Sequence, residues 1–537
     1  MDLRRLKPIL LLLMVAGVSF AHWTAPGTID YNTNAATGVR IARDNAGNAM
    51  AVFVQSDGTN NIVYAVEYSS LTGWGTPQAI SAAGADASMA RIACLGTKQY
   101  IALFKRTDGS YDRIYSRLFN GSTWETETTI NEAINYHSTF PEISGDASGH
   151  AMAVWKQSNG TNEMIYARRY ISGNWDGTAY TVSNAVNTTN ASTTQQAQVV
   201  YTPNGASFVT FVQYNTTDSH DRIYANKWNG SSWGTAQEID ANTSSNVGNV
   251  NVAIEPGGKA LFVFKENNAF YSVYYNGTSY GAPVLVKAAG SGMQDAPQIC
   301  HLGGSNFLTV YHMHDGSDYR VYGSRTTNNG TSWNAEVLID QGTYPGGDPR
   351  LSADSTNGQV IAIFTQYQIG KNRIYSNFFD GTAWTGAECI DNGDLASGTP
   401  DIALHSNGNA IAAFTQFDGT SDRVYSTVKY KHKTWDNGGG DGNWSTATNW
   451  QPDELPAATD TVIFDGALST ANCVLGANTS VAKITTINSP DGLGFSTYTL
   501  TVTGDVDFSM LGSITGTGTL ELNAPSGTQL FTPIMSG

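Results

Sequence analysis

The sequence predicts an all-β fold: a β-propeller of about eight blades closed by an N-terminal strand, followed by a second β-domain. Three observations carry this reading. A tyrosine recurs at Tyr64, Tyr115, Tyr166, Tyr224, Tyr274, Tyr322, Tyr375 and Tyr425, in one sequence frame and at intervals of about 50 residues. Only 14% of residues are charged while glycine reaches 56, the composition of short strands joined by many turns. Finally, HWTAPGTID (22–30) matches SWGTAQEID (232–240) and AWTGAECID (383–391), the fourth-strand segments of two repeats. The eighth repeat lacks such a segment, so the N-terminal copy is expected to supply it and close the ring.

Each repeat reads as four strands. Strand A precedes a Gly-containing turn, as in PEISGDASGH, and strand B is an apolar run such as AMAVWKQ. An apolar run without alternation means that both sheet faces are covered, as in a blade stacked between neighbours. Asp-Gly or Asn-Gly pairs at 57–58, 108–109, 159–160, 315–316 and 418–419 supply the positive φ values of tight B–C hairpins. Strand C ends in an RIY segment, and an NGxxW turn leads to strand D. Four antiparallel strands at this period indicate a propeller, because closing the ring protects the sheet edges.

Residues 1–21 read as a signal peptide: a basic start (Arg4, Arg5, Lys7), a short apolar run and Ser19-Phe20-Ala21 at the cleavage site. The chain is therefore expected to be secreted or displayed at a bacterial cell surface, with no transmembrane segment once the signal is removed. The net charge is −16, and losing the leader moves it near −18, which argues against nucleic acid as a partner. The four cysteines, Cys94, Cys300, Cys389 and Cys473, show no disulfide spacing. They read as small buried hydrophobes, with Cys94 and Cys300 at one position of two non-adjacent repeats.

The turn Thr326-x-Asn328-x-Gly330-x-Ser332-Trp333 resembles the Asp box of the sialidase superfamily, with looser copies at Asn120–Trp124, Asn229–Trp233 and Asp380–Trp384. The repeats over residues 22–433 resemble bacterial exported propellers of that layout. In the family this turn is structural, so the resemblance implies a fold and leaves activity open. It also implies a three-arginine carboxylate site, for which Arg113, Arg222, Arg320, Arg373 and Arg423 are the candidates. These share one repeat position, however, and structural pairing with the adjacent Asp112, Asp221 and Asp422 accounts for them better. The family's nucleophile pair and acid/base aspartate have no identifiable counterpart.

Residues 434–537 leave the repeat. Three tryptophans (Trp435, Trp444, Trp450) precede short alternating strands broken by glycine. This part resembles the opening rungs of the β-solenoid stalks of bacterial surface proteins, with a small β-sandwich as the alternative. Solenoids need capped ends, so the expectation is a chain that forms part of a longer protein.

One repeat departs from the rest. In HMHDGSDYR, His312 and His314 stand two apart on a strand, on one face, followed by Asp315 and Asp318. These four are the ligand-binding candidates, and the histidine pair could hold a divalent metal; otherwise no cofactor is expected. The other candidates are the least repeat-like loops, 184–196 and 215–220. No phosphate loop, zinc-protease helix or nucleophile elbow occurs. The favoured function is recognition or adhesion, with glycan or an extracellular protein bound at the loop face. A glycoside hydrolase or lyase and a structural surface component are the alternatives, since fold alone does not decide.

Overall fold

In the computed structural model the described residues are 23–534, apart from 71, 133–134, 184–196, 203, 241–246, 290–296, 394, 459, 489 and 525–528. The signal-peptide reading and the 184–196 loop lie outside them. The chain forms two compact units, Ala25–Val428 and the residues from Lys429 onward with Trp23 and Thr24.

The first unit is an eight-bladed β-propeller. Eight antiparallel sheets follow one another along the chain, each running from an innermost strand A to an outer strand D. The B strands show why the pattern folds this way. Ala49–Ser56, Ala151–Ser158 and Ala410–Phe417 are buried over all but their last residue, because both faces meet a neighbouring blade. In every blade an aromatic of strand B stands directly opposite a tyrosine of strand C. Phe53–Tyr64, Phe104–Tyr115, Trp155–Tyr166, Phe211–Tyr224, Phe264–Tyr271, Tyr311–Tyr322, Phe364–Tyr375 and Phe414–Tyr425 stack with centroids 5.9–6.4 Å apart. Each such pair adds about 0.5–1.5 kcal/mol beyond its buried area. Blade five corrects the sequence reading: its repeat tyrosine is Tyr271, not Tyr274. Its B–C hairpin is shorter than the others, turning through Asn267 and Asn268, both at positive φ.

The ring closes as the sequence implies. Gly27–Thr28 pairs with Ser426 and Tyr425, the same register in which Gln237 and Glu238 meet Ala225 and Tyr224 in blade four. The first described strand therefore completes the sheet formed by Ser397–Leu404, Ala410–Phe417 and Asp422–Lys429.

Turn chemistry repeats from blade to blade. The hairpin residues Asp57, Asp108, Asn159, Asp315 and Asp418 each accept two main-chain N–H groups, two and three residues on. In the Asp-box-like turn, Asn328 accepts the Ser332 N–H at 3.0 Å and donates to its hydroxyl at 2.8 Å, while the Thr326 hydroxyl accepts the Gly330 N–H at 3.0 Å. Trp333 then donates to Ser272 of the preceding blade at 2.9 Å, so this turn ties two blades together.

The second unit is a β-solenoid of about three turns, not a sandwich. Its strands stack in parallel in three sheets, for example Thr461–Asp465, Lys483–Ile487 and Val506–Asp507 in one of them. Side chains of successive rungs stack in the interior: Val462, Ile484 and Val506, for example, lie in register, each buried. At its start Trp450–Gln451 runs antiparallel to Thr434–Trp435, and Trp435, Trp444 and Trp450 pack into one buried cluster.

All four cysteines are free thiols. Cys473 is buried, but Cys389 is exposed, beside Arg373 and Asp391, contrary to the expectation of a buried hydrophobe. Cys94 and Cys300 are also not equivalent. Cys300 pairs with Leu308, whose counterpart in blade two, Ile101, faces Ala93. The two cysteines are offset by one residue and so point to opposite faces.

Candidate functional site

The D–A connections and B–C hairpins lie at one face of the propeller, and the exposed aromatic rings gather there. Tyr31 (57% exposed) follows the closing strand and stacks on Tyr64 with centroids 4.9 Å apart. Tyr136 lies in the connection into blade three against Gly160 of its hairpin, and Tyr367 and Ile369 form the hairpin of blade seven. Elsewhere among the described propeller residues, the exposed large apolar side chains are Leu285, Val337 and Leu338, all aliphatic and on outermost strands.

The HMHD segment lies on this face. His312 packs its ring on Gly347 of blade seven, where an added Cβ would lie 3.2 Å from it. His312 and His314 both face Tyr319, with centroids 5.0 Å away in each case. His314 Nδ1 accepts the Gly316 N–H at 3.1 Å. Asp315 is held by the N–H groups of Asp318 and Ser317, which with Arg320 keep its carboxyl below the usual range. Asp318 accepts from Arg320 at 3.3 Å. The structure thus brings the two histidines and the two aspartates into one hairpin but commits Asp315 to the turn itself. Among the described residues no group of three His, Cys, Asp or Glu side chains is placed to hold a metal ion.

The five repeat arginines are structural, but their partners are not the adjacent aspartates. Arg113 bonds Asp108 at 2.7 Å, Arg222 bonds Asp218 at 2.6 Å and Asp240 at 3.4 Å, and Arg373 bonds Asp391 at 2.7 Å. Arg320 pairs with Asp315 and Asp318, and Arg423 with Asp30 and Asp418. Consecutive strand residues point to opposite faces, so Asp112, Asp221 and Asp422 turn away from the guanidinium that follows them. The aspartates that end strand D also cap the next strand position: Asp30, Asp240, Asp340 and Asp391 accept the N–H of Val424, Ile223, Val321 and Ile374.

Asp240 gives a pH prediction. Burial pushes its carboxyl up to about 7, against the opposing pull of the Ile223 N–H and of Arg222, a guanidinium it shares with Asp218. An acid whose folded pKa lies above its unfolded value stabilises the fold when protonated. The propeller should therefore gain stability against urea as the pH falls through about 7. Asp240→Asn keeps an acceptor for the Ile223 N–H and should abolish that gain, as read from unfolding midpoints on either side of this pH.

The least expected feature is at the axis. Strand registers place Arg40, Arg91, Glu142, Gln198, Asn251, Gln298, Arg350 and Asp401 at one equivalent position in the eight A strands, each opposite the residue before the strand B aromatic. These residues form one polar belt around the channel. Arg91 pairs with Glu142 at 2.7 Å, and Asp401 accepts the Ile41 N–H at 3.0 Å. The Arg40 guanidinium is lowered in pKa by burial, supported by Asp401, and lowered further by Arg91 and Arg350, so these charges share one enclosure. Two residues before the belt, six A strands bulge: Gly38, Met89, Phe140, Asn249, Asp348 and Thr399 have φ between +44° and +66°. Five of the six are not glycine, and each such residue costs on the order of 1–3 kcal/mol. Bulges of this kind re-aim side chains near functional sites.

Fold and site together define an eight-bladed propeller with a bulged, charged channel mouth, joined in sequence to a β-solenoid. No protein-family model and no curated protein matches the chain. Solved structures similar to it include the sialidase Hz136 from a Hadza microbial source (10% identity, TM-score 0.37, covering 72% of this chain and 74% of that one). Another is a point mutant of the NanB sialidase from Streptococcus pneumoniae (11%, 0.35, 72% and 83%). A third is an α-L-arabinofuranosidase from Fusarium graminearum (13%, 0.37, 63% and 91%). Identities and scores this low identify no family.

Proposed function

We propose that this protein is an exported recognition module, secreted or held at the cell surface, that binds glycan or an extracellular protein through the loop face of its propeller. The observation that carries this reading is the confinement of exposed tyrosine rings, among the described propeller residues, to that one face, around Tyr31, Tyr136 and Tyr367. Rings of this kind offer apolar area for stacking on a sugar, and their hydroxyls supply hydrogen bonds. The channel mouth at the centre of the same face adds charged and amide groups that fix orientation. Among the described residues no helix is long and apolar enough to cross a membrane.

The test is binding of the purified chain to a glycan array, with and without EDTA. Saturable binding to a defined sugar class is the expected result, and Tyr31→Ala should weaken it about tenfold, the scale on which one stacking aromatic acts. Sensitivity to EDTA would show that a divalent metal takes part, with His312 and His314 the first residues to substitute. A blank array would remove the glycan reading.

A further inference from the structure

We propose that the cleft between blades two and three is a second binding site, on the flank of the propeller, for one uncharged sugar ring. It is separate from the loop face, because it opens beside Gly173 and Asn174, at the opposite end of strand C from the B–C hairpin.

The cleft measures about 310 Å³, while its counterpart at the same repeat position between blades one and two measures about 120 Å³. Three repeat positions change its character. Thr128 stands where blade one has the longer Gln78, which leaves room. Leu118 replaces Glu67, which removes a carboxylate, and Tyr170 replaces Phe119, which adds a hydroxyl. Tyr170 is the residue that points to a ligand. It is 5% exposed, and its ring packs edge-on against Trp175 with centroids 5.3 Å apart. Among the described residues its hydroxyl makes no hydrogen bond, although it lines the cleft. A nearly buried hydroxyl in that position weakens the fold unless a partner reaches it from outside the protein. Burial and the nearby Glu125 carboxylate raise its pKa, so it stays a neutral donor.

The rest of the lining fixes the chemistry of the ligand. Glu125 is exposed and offers two acceptor oxygens, and the hydroxyls of Thr126, Thr128 and Thr129 can each donate and accept. The half-buried Trp175 ring adds apolar area. Acceptors and two-way hydroxyls beside an aromatic ring suit the alternating hydroxyls and C–H groups of a sugar. Glu125 repels an anion, and the guanidinium in the lining, Arg168, cannot offset it. Each of its three nitrogens donates to a main-chain carbonyl, of Asp176, Ile130 or Gly177, at 2.6–2.9 Å. A metal ion would find a single carboxylate, too few charged ligands to hold it. The volume lies at the low end of the range of about 300–1,000 Å³ typical of ligand sites, which limits the occupant to one ring.

The experiment is hydrogen–deuterium exchange of the full chain in saturating methyl glucoside, methyl galactoside or methyl mannoside, with affinities from calorimetry. At least one hexoside should protect 116–118, 125–129 and 170–175. Tyr170→Phe and Thr128→Gln each install the residue found at the same repeat position of the neighbouring junction, so both variants should fold. Tyr170→Phe should weaken binding about tenfold, the scale of one hydrogen bond. Thr128→Gln refills the cleft and should abolish binding. Protection at the loop face alone, or unchanged affinity in either variant, overturns the flank site and leaves the recognition reading standing. Absence of binding by all three hexosides overturns the flank site as well, and the glycan array then decides the loop face by itself.

Discussion

Asp30→Ala should destabilise the propeller by about 3–5 kcal/mol, the scale expected when one partner of a buried ion pair is removed. Asp30 sits just after the strand that closes the ring, and its carboxylate side chain is fully buried. It accepts from Arg423 through both oxygens, at 2.6 and 2.7 Å, and from the Val424 N–H at 3.2 Å. It also accepts from Gln55 of blade one at 3.2 Å. A single carboxylate therefore joins the closing strand, blade eight and blade one. Without it Arg423 is left with Asp418, at 3.3 Å, and the Val424 N–H loses its acceptor. The control is Asp422→Ala. Asp422 is exposed and precedes Arg423 in sequence, but it lies on the other face of the strand, so its removal should change stability by at most about 0.5 kcal/mol. Urea unfolding of the two variants separates them, and equal losses would contradict the assignment of Asp30 as the latch.

Trp450→Ala should cost the C-terminal unit about 3–5 kcal/mol, the range for removing a large buried aromatic. Trp450 is fully buried, its ring meets Trp435 and Trp444 edge-on at 5.2 and 4.7 Å, and its indole N–H donates to the Trp444 carbonyl at 2.8 Å. Those three rings cover the first rung of the solenoid, so the alanine variant opens the end of a parallel stack. Leu530→Ala, at a residue 64% exposed in the last rung, should stay within about 0.5 kcal/mol. Tryptophan fluorescence during urea unfolding reads the difference, and a tolerated Trp450→Ala would mean that the cluster is not what ends the stack.

The fold is legible in the sequence because its signals are repeated. Eight copies of an apolar B strand and a B–C aromatic pair define the blades, and HWTAPGTID repeats the strand D segments closely enough to fix even the register of Gly27–Thr28. Where the sequence misleads is in suggesting that neighbours along the chain are neighbours in space. Arg423 bonds Asp30, a residue 393 positions away, because alternation turns Asp422 to the opposite face. Tyr274 keeps the repeat spacing in sequence, yet Tyr271 holds the position, because the hairpin of blade five is shorter than the Asp-Gly turns elsewhere. The channel belt is hidden for a related reason. Its bulges are built on residues as different as Gly38, Met89, Phe140, Asn249, Asp348 and Thr399, of which only Gly, Asn and Asp favour a left-handed backbone, so no shared residue type marks where strand A changes register. Once the registers are known, Arg40, Arg91 and Arg350 fall into one ring. The HMHD segment, conspicuous in sequence, forms a hairpin in which Asp315 caps the turn and both histidine rings face Tyr319.

The central claim is that ligand is taken at the channel mouth and loop face of the propeller. Hydrogen–deuterium exchange on the full chain, with and without the tightest-binding glycan from the array, tests it most directly. The account predicts protection at the bulged starts of the A strands, around 36–41, 87–92, 346–351 and 397–402, and in the B–C hairpins beside them. Protection confined to the C–D turns at 120–124, 229–233 and 380–384, or to the C-terminal unit, would contradict it.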